Sequence, residues 1–205
     1  MMKMATTFYR RVIVFSRPID ESLPQIHSSF QIKITPLQDK DLPDYHRLRP
    51  EQPPRMIRKR IADGDQCFLV WSEGRIVHSG WVATQKKSDP YLRCTLILQP
   101  GEIFLYDHYT HPSYRSHGLA QARDIYLLQR YRQEGYRRSI AVVAIENKPA
   151  FRPFEAIGYR PIGMFRSLWW ILGKTIWQQQ WGKEQLPVVA KWKHKGPSDD
   201  HSCSK

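Results

Sequence analysis

Residues 140–145, Ile-Ala-Val-Val-Ala-Ile, are apolar without interruption. A strand with one wet face alternates apolar and polar side chains. An unbroken run suits a strand covered on both faces, as parallel strands are. The run follows a stretch, residues 118–133, that carries Leu119, Ala122, Ile125, Tyr126 and Leu128 at helical spacing, and Gly135 stops it. Residues 102–110 read as a strand entered through the Pro100-Gly101 turn. Strand, helix and buried strand in that order form a β-α-β unit with a right-handed crossover. The chain is therefore held to the α/β class, with at least one parallel strand pair under helical cover.

The remaining elements build a sheet for this unit. Residues 12–15 read as a strand, and residues 30–34 alternate apolar and polar like a half-buried one that Pro36 ends. Residues 39–49 form a helix with Asp39 or Asp41 as N-cap, broken by Pro50, Pro53 and Pro54. Pro54 opens a second helix through Ile61, and Gly64 stops it. Residues 67–71 and 75–84 read as strands around a Glu73-Gly74 turn. With residues 91–98 and 102–110 they make an antiparallel meander. Residues 149–156 form a short helix after Asn147, with Pro153 expected to kink or shorten it. Residues 159–162 and 166–172 read as a closing strand pair. The expected organisation is an N-terminal arm with an extra strand over 1–29, a domain over 30–182, and a basic, disordered tail over 183–205.

Net charge is +13 over 205 residues, with basic side chains spread along the chain. This fits nucleic acid, an anionic surface, an anionic cofactor or a merely solvated basic exterior. The basic run Arg55, Arg58, Lys59, Arg60 has the same two readings, a solvated helix face or one turned toward phosphate. Three widely spaced cysteines, Cys67, Cys94 and Cys203, give neither a disulfide framework nor metal spacing. No metal is expected, and a reducing, cytoplasmic setting is. No signal peptide and no membrane-length apolar run is read. Trp71, Trp81, Trp169 and Trp170 are read as core residues.

Residues 115–120, Arg-Ser-His-Gly-Leu-Ala, stand where strand gives way to helix. A helix start offers unpaired N–H groups and the positive end of the helix dipole, which together attract an anion. Close approach of a diphosphate to the backbone needs small side chains, supplied by Ser116, Gly118 and Ala120. Arg115 adds a fixed positive charge.

Two motifs carry a resemblance. Thr110, Pro112, Tyr114, Arg115, Gly118 and Ala120 form T-x-P-x-Y-R-x-x-G-x-A, similar to the Q/R-x-x-G-x-G/A motif of the GNAT superfamily of acyl-CoA-dependent N-acetyltransferases. Asn147, Ala150, Phe154, Gly158 and Tyr159 resemble that family's N-x-x-A…Tyr…G-F/Y motif. The resemblance implies a GNAT-like fold: a mostly antiparallel central sheet with one parallel, splayed strand pair, about 102–110 and 139–145, flanked by helices. It implies that acetyl-CoA wedges between those strands. Its pantetheine would pair with backbone around Tyr109, Thr110 and His111, and lie beside Asn147 and Phe154. Its pyrophosphate would rest on Arg115, Ser116, His117, Gly118, Leu119 and Ala120. An acceptor amine, on a small molecule or a protein, would attack the thioester directly, in a monomer or homodimer.

The chain departs from the family where a tyrosine acid often stands, which here is Phe154. Tyr159 and Tyr109 are the substitutes. Candidate bases are Glu102, Asp107 and His108. Strict alternation puts Glu102, Tyr106, His108 and Thr110 on one face, with Asp107 and Tyr109 on the other. Each base also has an ordinary reading: strand entry for Glu102, an ion pair for Asp107, a sheet hydrogen bond for His108. A binding module on the same fold, with catalysis lost, and a nucleic-acid binder remain the competing functions.

Overall fold

The β-α-β unit forms, and the sheet is assembled around it. A computed structural model describes residues 7–25, 28–89, 91, 94–170, 175–182 and 188–191. In chain order the elements are β1 (Thr7–Pro18), β2 (Lys33–Pro36), α1 (Leu42–Leu48), α2 (Pro54–Ala62), β3 (Gln66–Ser72), β4 (Arg75–Ala83), β5 (Lys86–Asp89), β6 (Cys94–Ile97), β7 (Glu102–Thr110), α3 (Leu119–Gln133), β8 (Arg138–Ala144), α4 (Phe151–Ala156), β9 (Arg160–Trp170), β10 (Thr175–Gly182) and β11 (Val188–Lys191). Eight strands make one sheet in the order β10-β9-β1-β8-β7-β4-β3-β2, and β11-β6-β5 make a second. Neighbouring strands run antiparallel except β7 and β8, which are parallel. This is the mixed, mostly antiparallel sheet with one parallel pair that the sequence led us to expect.

Both faces of the large sheet are covered. On one, Leu127, Leu128 and Tyr131 of α3 and Phe154 of α4 pack on Phe15, Phe68, Val82, Leu105 and Ala141. On the other, Cys94, Leu96 and Leu98 meet Val12, Phe104, Ile140 and Phe165, while Tyr45, Leu48 and Ile57 of α1 and α2 meet Leu69 and Trp81. Each of the leucine, isoleucine, valine and phenylalanine side chains among them, removed from water, contributes about 1.5–3 kcal/mol before entropic costs. Burial on both faces accounts for the unbroken apolar run over 140–145, since Ile140 and Ala141 feed opposite cores.

The structure redraws several of these elements. The extra strand expected within 1–29 is β1, which lies between β8 and β9. Its Arg17, fully buried, donates from Nη1 to the Ile157 carbonyl at 2.5 Å and so caps the end of α4. The meander is interrupted, because β4 pairs directly with β7 while the hairpin of β5 and β6 leaves for the second sheet. The closing pair is instead one long strand, β9, whose partners are β1 and β10. The helix expected over 149–156 is shorter, Phe151–Ala156 after a 3-10 turn over Lys148–Ala150, and Pro153 sits third in it, where a missing N–H removes little. Within the expected tail, Val188–Lys191 is strand β11 against β6. Residues 192–205 lie outside the described residues. No helix among the described residues is long and apolar enough to cross a membrane.

Candidate functional site

The parallel pair stops early. Ladder partners run from Glu102↔Arg138 to Leu105↔Ala141, and beyond them β7 keeps only its β4 side. Opposite that opening β7 bulges. Ser79 faces Tyr109 and Trp81 faces Tyr106, so Asp107 and His108 together oppose Gly80. Asp107 takes a left-handed φ of 51°. An extra residue flips every later side chain to the other face. The alternation expected for this strand is thereby corrected. Tyr106 and Asp107 both face α1 and α2, whereas His108 and Thr110 join Leu105 on the face of α3. Gly80 is required there: a Cβ would stand 1.6 Å from Nη1 of the fully buried Arg123.

Where the strands part there is a cavity of about 280 Å³. Its walls are Leu105–His108 of β7, Val142–Ala144 of β8, Ala120 and Asp124 of α3, and Asn147, Ala150, Pro153 and Phe154. At its helix end, Ser116 and Gly118 both adopt left-handed φ, 66° and 74°. Ser116 thus holds a conformation that glycine adopts at no cost. No side chain caps α3, so the N–H groups of Leu119, Ala120 and Gln121 have no intrahelical acceptor. Small residues, an open helix start and a free strand edge fit a long, diphosphate-bearing ligand such as CoA. Arg115 is exposed and bonds the Thr110 carbonyl through Nε at 3.2 Å. The His117 ring packs on Phe30, and the His111 ring on Tyr114. The His111 N–H is given to the Val77 carbonyl at 2.9 Å, which leaves the strand edge before it to pair with a ligand.

A second cavity, about 950 Å³, adjoins the first. It lies between the α1–α2 segment and β5, and it shares Tyr106, Asp107 and Val142 with its neighbour. Asp107 stands at the junction. Its carboxylate accepts from Arg49 Nη2 at 2.9 Å, Gln52 Nε2 at 2.7 Å and Arg60 Nη1 at 2.5 Å. Burial alone would raise this carboxyl, but Arg60 and Arg49 more than offset it and hold it below the usual carboxylate range. Arg49 and Arg60 also lie over the Tyr109 and Tyr106 rings, 4.8 and 5.3 Å from their centroids.

His108 faces Arg123, whose Nη2 is 2.8 Å from Nε2 and 3.1 Å from Nδ1 of the ring. Arginine can only donate, so the imidazole accepts and is neutral. Burial, then Arg123 and His78, hold it well below the ordinary histidine value. His78 is buried and depressed in the same way, with Nδ1 2.7 Å from Thr110 Oγ1. Asp124, ion-paired with Arg123, is pushed up by burial despite that partner.

The other sequence candidates are placed elsewhere. Glu102 begins β7 at the end away from the splay. There it accepts from Arg138 at 3.0 Å and from the Gln99 N–H at 2.9 Å, and it lines neither cavity. The Tyr159 hydroxyl is buried 2.6 Å from Ser139 Oγ and is pushed up by burial. Phe154 offers the cavity only carbon, its ring 5.5 Å from that of His108. Sequence reasoning met Arg60 only as part of a basic helix face, and it passed over Arg49, Gln52, Arg123 and Asp124, none of which belongs to a local motif. Among the described residues no group of three or more His, Cys, Asp or Glu is arranged to hold a metal. Cys67 and Cys94 are buried, and their thiols are pushed up to about 12.

The sequence model of the acetyltransferase (GNAT) family matches residues 34–159, more than half of the chain. Among solved structures, a GNAT-family acetyltransferase from Novosphingobium aromaticivorans is similar at 17% identity and a TM-score of 0.54, over 79% of this chain and 65% of that one. A Drosophila protein is similar at 11% identity and a TM-score of 0.56, over 82% and 53%. The chain thus spans less than two-thirds of either protein, and at these identities the likeness concerns the fold. An aminoglycoside N-acetyltransferase in complex with CoA is similar at 19% identity and a TM-score of 0.49, over 62% of this chain and 91% of that one.

Proposed function

Since the chain belongs to the GNAT family of acetyltransferases, we propose that it moves an acetyl group from acetyl-CoA to a primary amine by direct attack on the thioester. The observation that carries this reading is the junction of two cavities at Asp107, one between the splayed strands and the other between the α1–α2 segment and β5. The thioester supplies an activated acetyl carbon, and the chain supplies position. The open edge of β7 around Tyr109 and Thr110, with Asn147 and Phe154 opposite, receives the pantetheine arm. Arg115, Ser116, His117, Gly118, Leu119 and Ala120 receive the pyrophosphate. Tyr106 and Asp107 orient the amine, whose nitrogen forms the amide bond as the carbon–sulfur bond breaks. Bringing the two reactants together in this way accounts for most of the acceleration.

Of the three candidate bases, Asp107 is the one that borders both cavities, so we assign it the ammonium. Its depressed pKa keeps it ionised and makes it a weak proton acceptor. It therefore attracts the ammonium, and the proton passes on to solvent. His108, already accepting from Arg123, shapes the bulge from behind. Tyr159 stays with Ser139, and the thiolate leaves without a tyrosine donor. Among the described residues the cysteines are Cys67 and Cys94, whose buried thiols, pushed up to about 12, are poorly suited to an acyl-cysteine intermediate.

The test is to incubate purified protein with acetyl-CoA and a panel of amines and follow free CoA thiol. Thiol release that needs both acetyl-CoA and an amine is expected. CoA binding with no release across the panel would favour a binding module, the reading that the engaged bases and Phe154 also suit.

A further inference from the structure

Asp107 accepts hydrogen bonds on both carboxylate oxygens, but not equally. Oδ2 receives Gln52 Nε2 at 2.7 Å and Arg60 Nη1 at 2.5 Å, whereas Oδ1 receives Arg49 Nη2 at 2.9 Å. An ionised carboxylate has about four acceptor sites, about two on each oxygen. Oδ2 is therefore filled, and one site is left on Oδ1. The Asp107 side chain is 22% exposed and borders both cavities, so a ligand can reach it.

The filling of Oδ2 depends on which way round the Gln52 amide lies, since a turned amide would set oxygen against oxygen. Two buried rings decide it. Trp81 Nε1 donates to Tyr45 Oη at 3.0 Å, and the Tyr45 hydroxyl donates to Gln52 Oε1 at 2.8 Å. An indole N–H can only donate, so the tyrosine oxygen accepts there and its own proton goes on to Gln52. Burial pushes the Tyr45 hydroxyl up, which keeps that proton in place. Arg60 Nη1, 3.4 Å from the same Oε1, adds a second donor. With its oxygen held on that side, Gln52 turns its NH2 toward Asp107. The hydrogen bonds thus run one way, from Trp81 in β4 through Tyr45 in α1 and Gln52 to the carboxylate. Trp81 and Tyr45 are fully buried and Gln52 is 3% exposed, so water replaces none of them.

We propose that Gln52, oriented by Tyr45 and Trp81, is a positioning residue for the acceptor: it closes Oδ2 and leaves an incoming primary ammonium the one open site on Oδ1. This deepens the acetyltransferase reading and rests on it. A single open site fixes the line along which the nitrogen meets the thioester. Two open oxygens would present it in two poses, and misplacement of reactants is costly.

The test reads Asp107 itself. Its carboxyl carbon, assigned with Asp107→Asn, is followed by carbon-13 NMR in the full chain without CoA or amine, over the acid range in which circular dichroism shows it folded. Arg49 and Arg60 hold this carboxyl down, and Glu51, Tyr45, Cys67 and Tyr106 also feel its charge. Gln52→Leu leaves all of these in place and removes one donor to the charged form. At the lowest pH where both chains stay folded, Asp107 should be more protonated in the variant, a rise in pKa of about half a unit or more. Tyr45→Phe, which keeps the ring, should shift it the same way by less. With an amine that supports thiol release, Gln52→Leu should raise the amine KM about tenfold while the calorimetric Kd for CoA changes less than about twofold. Equal titration in wild type and Gln52→Leu, or an equal loss of amine and CoA affinity, overturns the proposal. A Tyr45→Phe chain that titrates as wild type overturns the part given to Tyr45 and Trp81. A wild type that releases thiol with no amine sinks the acetyltransferase reading and the placement of the amine with it, a failure that the ligand-free titration keeps distinct from the others.

Discussion

The two halves of the site are built from different materials. The half proposed for the cofactor is main chain: a free strand edge, two left-handed residues at 116 and 118, and an uncapped helix start. The half proposed for the acceptor is side chain: three donors from the α1–α2 segment converge on one carboxylate. Main-chain sites tolerate many side chains but need small ones at fixed places. Side-chain sites depend on each partner and on charge balance. The first material suits a ligand common to a family, and the second suits a ligand that differs between members.

The largest expected effect breaks the acceptor half alone. Asp107→Ala removes the acceptor of three hydrogen bonds and leaves Arg49 and Arg60 without their shared carboxylate. We expect transfer to fall by about a hundredfold in kcat/KM, as misplacement of reactants does. CoA affinity should change by less than about twofold. Steady-state kinetics beside calorimetry check this, and an equal loss in both would show that the halves are not separate.

A smaller effect is expected where the halves meet. Gly80→Ala drives a methyl into Arg123, which is buried and cannot swing to solvent. Overpacking of this kind costs about 1–3 kcal/mol, measurable by denaturant unfolding. A neutral result would mean that Arg123 relaxes, and that the bulge does not depend on it.

The smallest effect concerns pH. Burial depresses His78 and His108 in the folded state, so the unfolded chain binds more protons below the ordinary histidine value of about 6.5. Their stabilising contribution is complete above that pH and is lost as pH falls below it toward the folded values. Each group gives at most about 1.4 kcal/mol per pH unit over that window. Unfolding midpoints at pH 7.5 and 5.5, with His108→Asn for comparison, should show the drop and its partial removal. The variant should leave the slope due to His78.

The same contrast explains what could be read from residues alone. The turn proposed to hold the cofactor was legible as a strand-to-helix turn of small residues because Arg115, Gly118 and Ala120 lie within six positions at a helix start. The β-α-β unit was legible because two-sided burial leaves an unbroken apolar run. The acceptor half was not. Arg49, Gln52 and Arg60 reach Asp107 across 58, 55 and 47 positions, so no spacing marks them. The bulge escaped notice because its left-handed residue is an aspartate, with the glycine on the opposite strand. The place of β1 escaped notice because strand order is set by which apolar faces meet, and Val12 and Phe15 could have met several partners.

The central claim is that the turn at residues 115–120 cradles CoA through its backbone. The most direct measurement is calorimetric titration of CoA into the wild-type chain and into Gly118→Glu. That substitution places a bulky negative side chain at the left-handed residue before α3. With folding verified by circular dichroism, the account predicts saturable binding to the wild type and a loss of at least about a hundredfold in the variant. A wild type that ignores CoA, or a folded Gly118→Glu that binds it equally well, would contradict the account.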